Sequence, residues 1–272
     1  MHFPVSGVDV SPLVPFLVGF GIASLTTPAG VSGAFVLLPF QVSVLGFTAP
    51  GVTPTNLLYN VISTPGGILR FRQQGSLDIA LVRAIASGAV PGVVAGSILR
   101  VTLLADADDF KVFVGVVLLG LGINIFAQVA LKGGSESSRA DDFSPARVVL
   151  LGAGAGMVGG IYGISGGSII APVLVGLFRL PVRRVASAAL VATLITSLAG
   201  VLSFEVLAAL GGDGIPGARP DWLLALFFGT GGALGGYTGA RLSNRAPETA
   251  LRLLLGSLAL ILATLYIAPV FY

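Results

Sequence analysis

The chain has 272 residues, 54% of them hydrophobic and only 10% charged, against about 25% charged in ordinary soluble domains. It carries a net charge of +3, no cysteine and a single histidine, His2. These numbers exclude disulfides, iron–sulfur and thiolate-zinc sites and most imidazole chemistry, so a membrane-embedded chain is expected, with no metal, no cofactor and no nucleic-acid partner.

The opening stretch, MHFPVSGVDVSPLVPF, has no basic n-region and no small-residue cleavage site. It reads as a polar tail ahead of a retained first helix rather than a signal peptide. The apolar runs that follow lack the period-two alternation of barrel strands, so helices are expected throughout, because lipid leaves backbone groups no other partner. The first two pieces, about 12–27 and 32–46, are short and flank the bend GVSGA at 30–34. A helix of about 15 residues covers roughly 22 Å, less than the ~30 Å hydrocarbon core, which suggests a re-entrant hairpin.

The third piece, 53–71, carries Asn56 and Asn60 on one helical face, with Ser63 near that line and Tyr59 beside it. Buried amides are costly in lipid unless they bond another helix or a substrate, and both readings stay open. The fourth piece, 82–99, carries Gly88, Gly92 and Gly96, a small-residue ridge that lets backbones approach closely. The fifth runs over 110–131, and the polar stretch that follows is read as a linker over 132–146.

Beyond the linker the pattern starts again. A shift of 133 positions lays Gly19, Gly21, Gly30, Ser32, Gly33 and Pro39 on Gly152, Gly154, Gly163, Ser165, Gly166 and Pro172. After a small insertion the ridge recurs as Gly231, Gly235 and Gly239. The second set of pieces is 147–160, 165–178, 184–204, 221–241 and 249–270. The chain is therefore an internal duplication, with repeats over 1–131 and 147–272. The expected fold is all-α and polytopic, each repeat being a short helical hairpin plus three transmembrane helices.

An odd number of pieces per repeat makes the second copy enter from the opposite side, which predicts inverted-topology repeats. With both termini outside, Asp106, Asp108, Asp109, Glu205, Asp213 and Asp221 fall in outer loops. Arg70, Arg72, Arg83, Lys132, Arg139, Arg147, Arg179, Arg183, Arg184, Arg241 and Arg245 fall inside, in keeping with the positive-inside rule. No charged residue is expected well inside any span.

The stretch GISGG at 163–167 spells the G-x-S-x-G of serine hydrolases. A hydrolase nucleophile at Ser165 needs a base, and His2 lies in the tail; a dyad using the GDG at 212–214 lacks a soluble scaffold. GVSGA is the symmetric partner of GISGG, so both are read as hairpin bends, with Ser32 and Ser165 capping the helices that follow. Each half-helix then presents its N-terminal N–H groups to a small anion. Candidate contacts are Gly30, Ser32, Gly33, Asn56, Asn60, Gly163, Ser165, Gly166, Gly167 and Thr193, the counterpart of Asn60. Close helix packing alone is the competing explanation for these glycines.

At GVSGAFVLLPF and GISGGSIIAPVL, followed by RLPVRRVASAALVATLITSLAGVLSF and GGYTGARLSNR, the chain resembles the TauE/SafE family of sulfite and organosulfonate exporters. The resemblance implies a secondary carrier in the cell (inner) membrane for sulfite or C2–C3 sulfonates, working by alternating access. Ala34 and Pro28 depart from the fuller pattern, which ranks the first hairpin as the weaker binder. The lipid bilayer and a small anionic substrate are the partners expected, and a homo-oligomer is compatible with the sequence. An anion channel of the same architecture is the alternative.

Overall fold

The computed structural model describes residues 1–27, 32–73, 77–130, 144–178, 180, 182–211, 218–242 and 248–271. Gly30, most of the linker and the GDG at 212–214 lie outside them. Two short antiparallel strands, β1 (His2–Phe3) and β2 (Val8–Asp9), precede α1 (Leu13–Thr26), α2 (Ala34–Ser43), α3 (Val52–Gln73), α4 (Ile79–Thr102) and α5 (Ala107–Ala130). The second half holds α6 (Pro145–Tyr162), α7 (Gly166–Leu177), α8 (Val182–Leu210), α9 (Trp222–Leu242) and α10 (Glu248–Ile267). The helices fall on the expected pieces, two sets of five, and a 3-10 turn over Ala268–Phe271 follows α10.

Local chemistry sets several of these ends. Asp78 caps α4, its carboxylate accepting from the Leu81 N–H at 3.0 Å, and Asp221 caps α9 by accepting from Leu224 N–H at 3.0 Å. Pro145 opens α6, where its missing N–H costs nothing, and Gly163 ends it with φ +90°. Among the described residues, Ile79–Thr102, Ala107–Ala127, Pro145–Tyr162 and Arg184–Leu210 are long and apolar enough to cross a membrane. α6 was expected to be short, and at 18 residues it is long enough to cross, unlike α1 (14), α2 (10) and α7 (12).

The halves pack by exchange. α1 lies on α9 and α6 lies on α4, while α3 packs on α9 and α8 on α4; α3 and α8 meet each other, as do α5 and α10. The glycine ridges make this possible. A Cβ at Gly88, Gly92 or Gly96 would collide with the backbone carbonyl of Val149, Ala153 or Met157 on α6. One at Gly231, Gly235 or Gly239 would collide with that of Phe16, Phe20 or Ser24 on α1. The two sets of α1 and α6 carbonyls are related by the same shift of 133 that aligns the repeats. Each ridge thus seats the first helix of the other half at an equivalent register.

The N-terminal stretch is not a loose tail. The β1–β2 hairpin buries Phe3 fully, edge-on to Phe227 with ring centroids 6.2 Å apart. Ser6 donates to the Asp221 carboxylate from its backbone N–H at 3.0 Å and from its hydroxyl at 2.8 Å. Phe3 and Val8 join a core cluster with Phe47, Phe110 and Phe228. His2 stays exposed and pairs with Asp9 at 3.1 Å.

Candidate functional site

α3 brings the two hairpin bends together. Its residues Thr53, Asn56, Asn60, Ser63 and Thr64 recur every three or four positions, so they lie along one face, and all five are buried. Thr53 Oγ1 donates to the Ile161 carbonyl at 3.0 Å. Asn56 Nδ2 donates to Ala34 O at 2.9 Å and to Gly163 O at 3.1 Å, one acceptor from each hairpin. Asn60 Nδ2 donates to Ile164 O at 3.2 Å, while its Oδ1 accepts from Ser32 Oγ at 2.5 Å. Carbonyls freed at broken helices need partners in lipid, and two asparagines on one face supply them to both bends.

The bends themselves differ. Ser32 Oγ accepts from the Ala34 N–H at 3.2 Å, as expected of a residue heading α2. Ser165 departs from expectation, because its side chain makes no cap hydrogen bond and its buried Oγ has no partner. It is the one non-glycine residue with positive φ among the described residues (φ 74°, ψ 153°), a region that is essentially reserved for glycine and strained for serine. The unpartnered hydroxyl matches a difference on the neighbouring helix: the position corresponding to Asn60 is Thr193, whose shorter side chain reaches Ser168 Oγ at 3.2 Å instead. Ser32 finds an amide there and Ser165 does not.

The glycines expected to leave room for an anion are packed. A Cβ at Gly166 would lie 2.7 Å from Ala89 Cβ and 2.9 Å from Gly156 Cα, and one at Gly167 would meet Thr193 Oγ1 at 2.6 Å. A Cβ at Gly163 would lie 2.8 Å from Thr53 O, and one at Gly33 would lie 2.6 Å from the Tyr59 hydroxyl. All four positions are places of close helix approach, so a bulky substituent there acts on packing first.

A small cleft opens beside the first bend. Ser32, Gly33, Tyr59, Ser63 and Thr64 line it, and Gly232 and Gly236 of α9 form its far wall. Its free space suits about one water molecule. At the second bend the positions matching these α9 glycines are Ala89 and Val93, both fully buried. This cleft lies at the hairpin that the sequence ranks lower.

Four participants escape the sequence reading. Gln41, on α2, donates from Nε2 to Asn56 Oδ1 at 3.2 Å while its Oε1 has no partner. Tyr162, at the end of α6, donates to Phe35 O at 2.8 Å and ties the hairpins together a second time. Arg100, in the last turn of α4 and so at the edge of a span, is fully buried by its neighbours. Thr53 was the missing first member of the α3 line, and its period was visible; Arg100 reads in sequence as an ordinary flanking charge.

Apolar helices long enough to span a bilayer, with buried polar groups gathered at two bends, define a multi-pass membrane protein. The family described as Sulfite exporter TauE/SafE matches residues 15–266, and the chain belongs to it. It is similar to two proteins of Bacillus subtilis (strain 168). "Probable membrane transporter protein YjnA" is 25% identical over 256 residues, covering 90% of this chain and 95% of that protein. "Probable membrane transporter protein YunE" is 25% identical over 256 residues, covering 86% and 88%. No solved structure matches the chain.

Proposed function

We propose that the protein is a secondary carrier, in the exporting direction, for small sulfur-containing anions such as sulfite or C2–C3 sulfonates, held between the two hairpin bends and moved by alternating access. One observation carries the reading: Asn56 and Asn60 clasp carbonyls of both bends, so a single face of α3 couples the two broken helices. The exchanged packing of α1 on α9 and α6 on α4 supports inverted repeats, with the hairpins entering from opposite faces and meeting near mid-membrane. Both termini then lie outside the inner membrane, and the Arg70 end faces the cytoplasm.

The substrate contacts in this reading are Ser32, Gly33, Asn60 and Ser165, with Asn56, Gly163, Gly166, Gly167 and Thr193 shaping the bends; Gly30 belongs to the same motif. Ser165 contributes a buried hydroxyl without a partner, and the N–H groups opening α2 and α7 supply positive dipole ends. About half a charge from each suits a monoanion. The cleft is too small for sulfite as it stands and Ser32 bridges it to Asn60, which favours an occluded carrier over a held-open channel.

The deciding experiment is calorimetric titration of purified protein with sulfite, sulfate, thiosulfate, taurine and isethionate, followed by counterflow in proteoliposomes with whichever binds. Saturable counterflow of a sulfur anion is expected. Conductance without counterflow would turn the reading to a channel, and absence of binding by the whole panel would end it.

A further inference from the structure

Arg100 is a buried cation without a carboxylate partner among the described residues. Its Nε donates to Thr53 Oγ1 at 3.1 Å, Nη1 donates to the Leu104 carbonyl, and the guanidinium lies over the Phe110 ring, 3.8 Å from its centroid. Nη2 is buried and bonds nothing. Every neighbour that holds the group is neutral, and an uncompensated charge taken from water is costly even with a ring face beneath it. Three contacts fix the orientation of the guanidinium and leave one edge with two unused donors. A fixed fork with a free edge is the geometry that recognises a planar or tetrahedral oxyanion.

The position adds direction. Thr53, which accepts from Arg100, also donates to Ile161 of the second hairpin and begins the polar face that runs through Asn56 and Asn60 to the cleft at Ser63 and Thr64. Cleft, bends and cation form one line along α3, with the cation at the end opposite to Arg70. We infer that Arg100 is an anion-binding subsite on the outer half of the path, where the Nη2 edge takes an oxygen of the anion as it leaves the bends. This rests on the carrier reading above, in which α3 lines the route. Opening of the outer half brings the anion to this edge.

The test uses full-length protein in detergent with sulfite, isethionate and acetate as probes, and reads Kd by calorimetry and the melting temperature without anion. Arg100→Gln should weaken each anion that the wild type binds by about tenfold, and Arg100→Lys by about threefold or less. A change under about threefold in a folded Arg100→Gln protein overturns the inference. Should that variant not fold, phenylglyoxal modification of wild-type Arg100, mapped by mass spectrometry, decides. Slower modification with anion bound supports the subsite, whereas no modification or an unchanged rate overturns it. A wild type that binds acetate through Arg100 but neither sulfur anion removes the sulfur-anion function and leaves the subsite standing; one that binds no anion overturns both.

Discussion

Ser165 holds two unfavourable features at once, a backbone conformation suited to glycine and a buried hydroxyl without a partner. Ser165→Gly relieves the first and removes the second. The variant should melt higher, with a gain of about 1 kcal/mol after the greater freedom of glycine in the unfolded chain is set against it. If the hydroxyl contacts the anion, affinity falls in the same variant by about 1–2 kcal/mol. Calorimetry and a melting curve read both, and a lower melting temperature would contradict the strain argument. Asn56 behaves oppositely, since Asn56→Ala strips the donor from Ala34 O and Gly163 O together. A loss of about 1–3 kcal/mol of stability is expected there, and an unshifted melting temperature would mean the bends find other partners.

At the scale of elements, the ridges and the caps make separate predictions. Gly92 and Gly235 each face a backbone carbonyl across a helix pair, so Gly92→Val or Gly235→Val forces the helices apart, at a cost of about 1–3 kcal/mol or more. Gly21 and Gly154, also related by the repeat, have nothing near a built Cβ. Changing either to Ala should be neutral or stabilising by up to about 1 kcal/mol, which makes them controls in the same thermal assay.

The cap of α4 adds a pH dependence. Burial pushes the Asp78 carboxyl up, but the Leu81 N–H and Arg184, whose Nε lies 2.6 Å from Asp78 Oδ2, outweigh it and hold the carboxyl below its usual range. A depressed folded value means that this stabilisation is complete above the unfolded carboxylate range and lost as pH falls through it. The gap in melting temperature between wild type and Asp78→Asn should therefore be flat from about pH 7 to 5 and narrow below about pH 4. A gap that narrows between pH 7 and 5 would point to another group.

For the whole molecule, the proposed inverted repeats place Gln73, the last residue of the third helix, and Pro181, ahead of the third helix of the second half in sequence, on one side of the membrane. The chain has no cysteine, so Gln73→Cys and Pro181→Cys each create a single labelling site. Both should react with an impermeant maleimide only from the cytoplasmic side; reaction from opposite sides would mean that each hairpin counts as a single broken span. The exchange of α1 and α6 between halves also makes the two ridges candidates for the surfaces that shift during transport. Cross-linking α4 to α6 and α1 to α9 should then stop counterflow without stopping binding.

Much of this architecture was legible because membranes make local sequence decisive. Apolar runs bounded by charge give the helices, the shift of 133 gives the duplication, and the asparagine pair on α3 stands out as a polar face in a lipid-facing composition. What each polar group bonds was not legible. Gly166 and Ser165 resemble their partners Gly33 and Ser32 in sequence, yet Ala89 packs against the one, and a threonine in place of an asparagine leaves the other unsatisfied, through residues on neighbouring helices. Arg100 is the clearest case. Length and hydropathy put it at the edge of a span, and only the packing of α3, α4 and α5 around its guanidinium makes it a buried charge with an unpaired Nη2. Sequence by itself determined where the helices run, since burial in lipid depends on composition along the chain. The tertiary structure alone decided which polar groups at the bends find partners, since that depends on side chains brought together from distant segments.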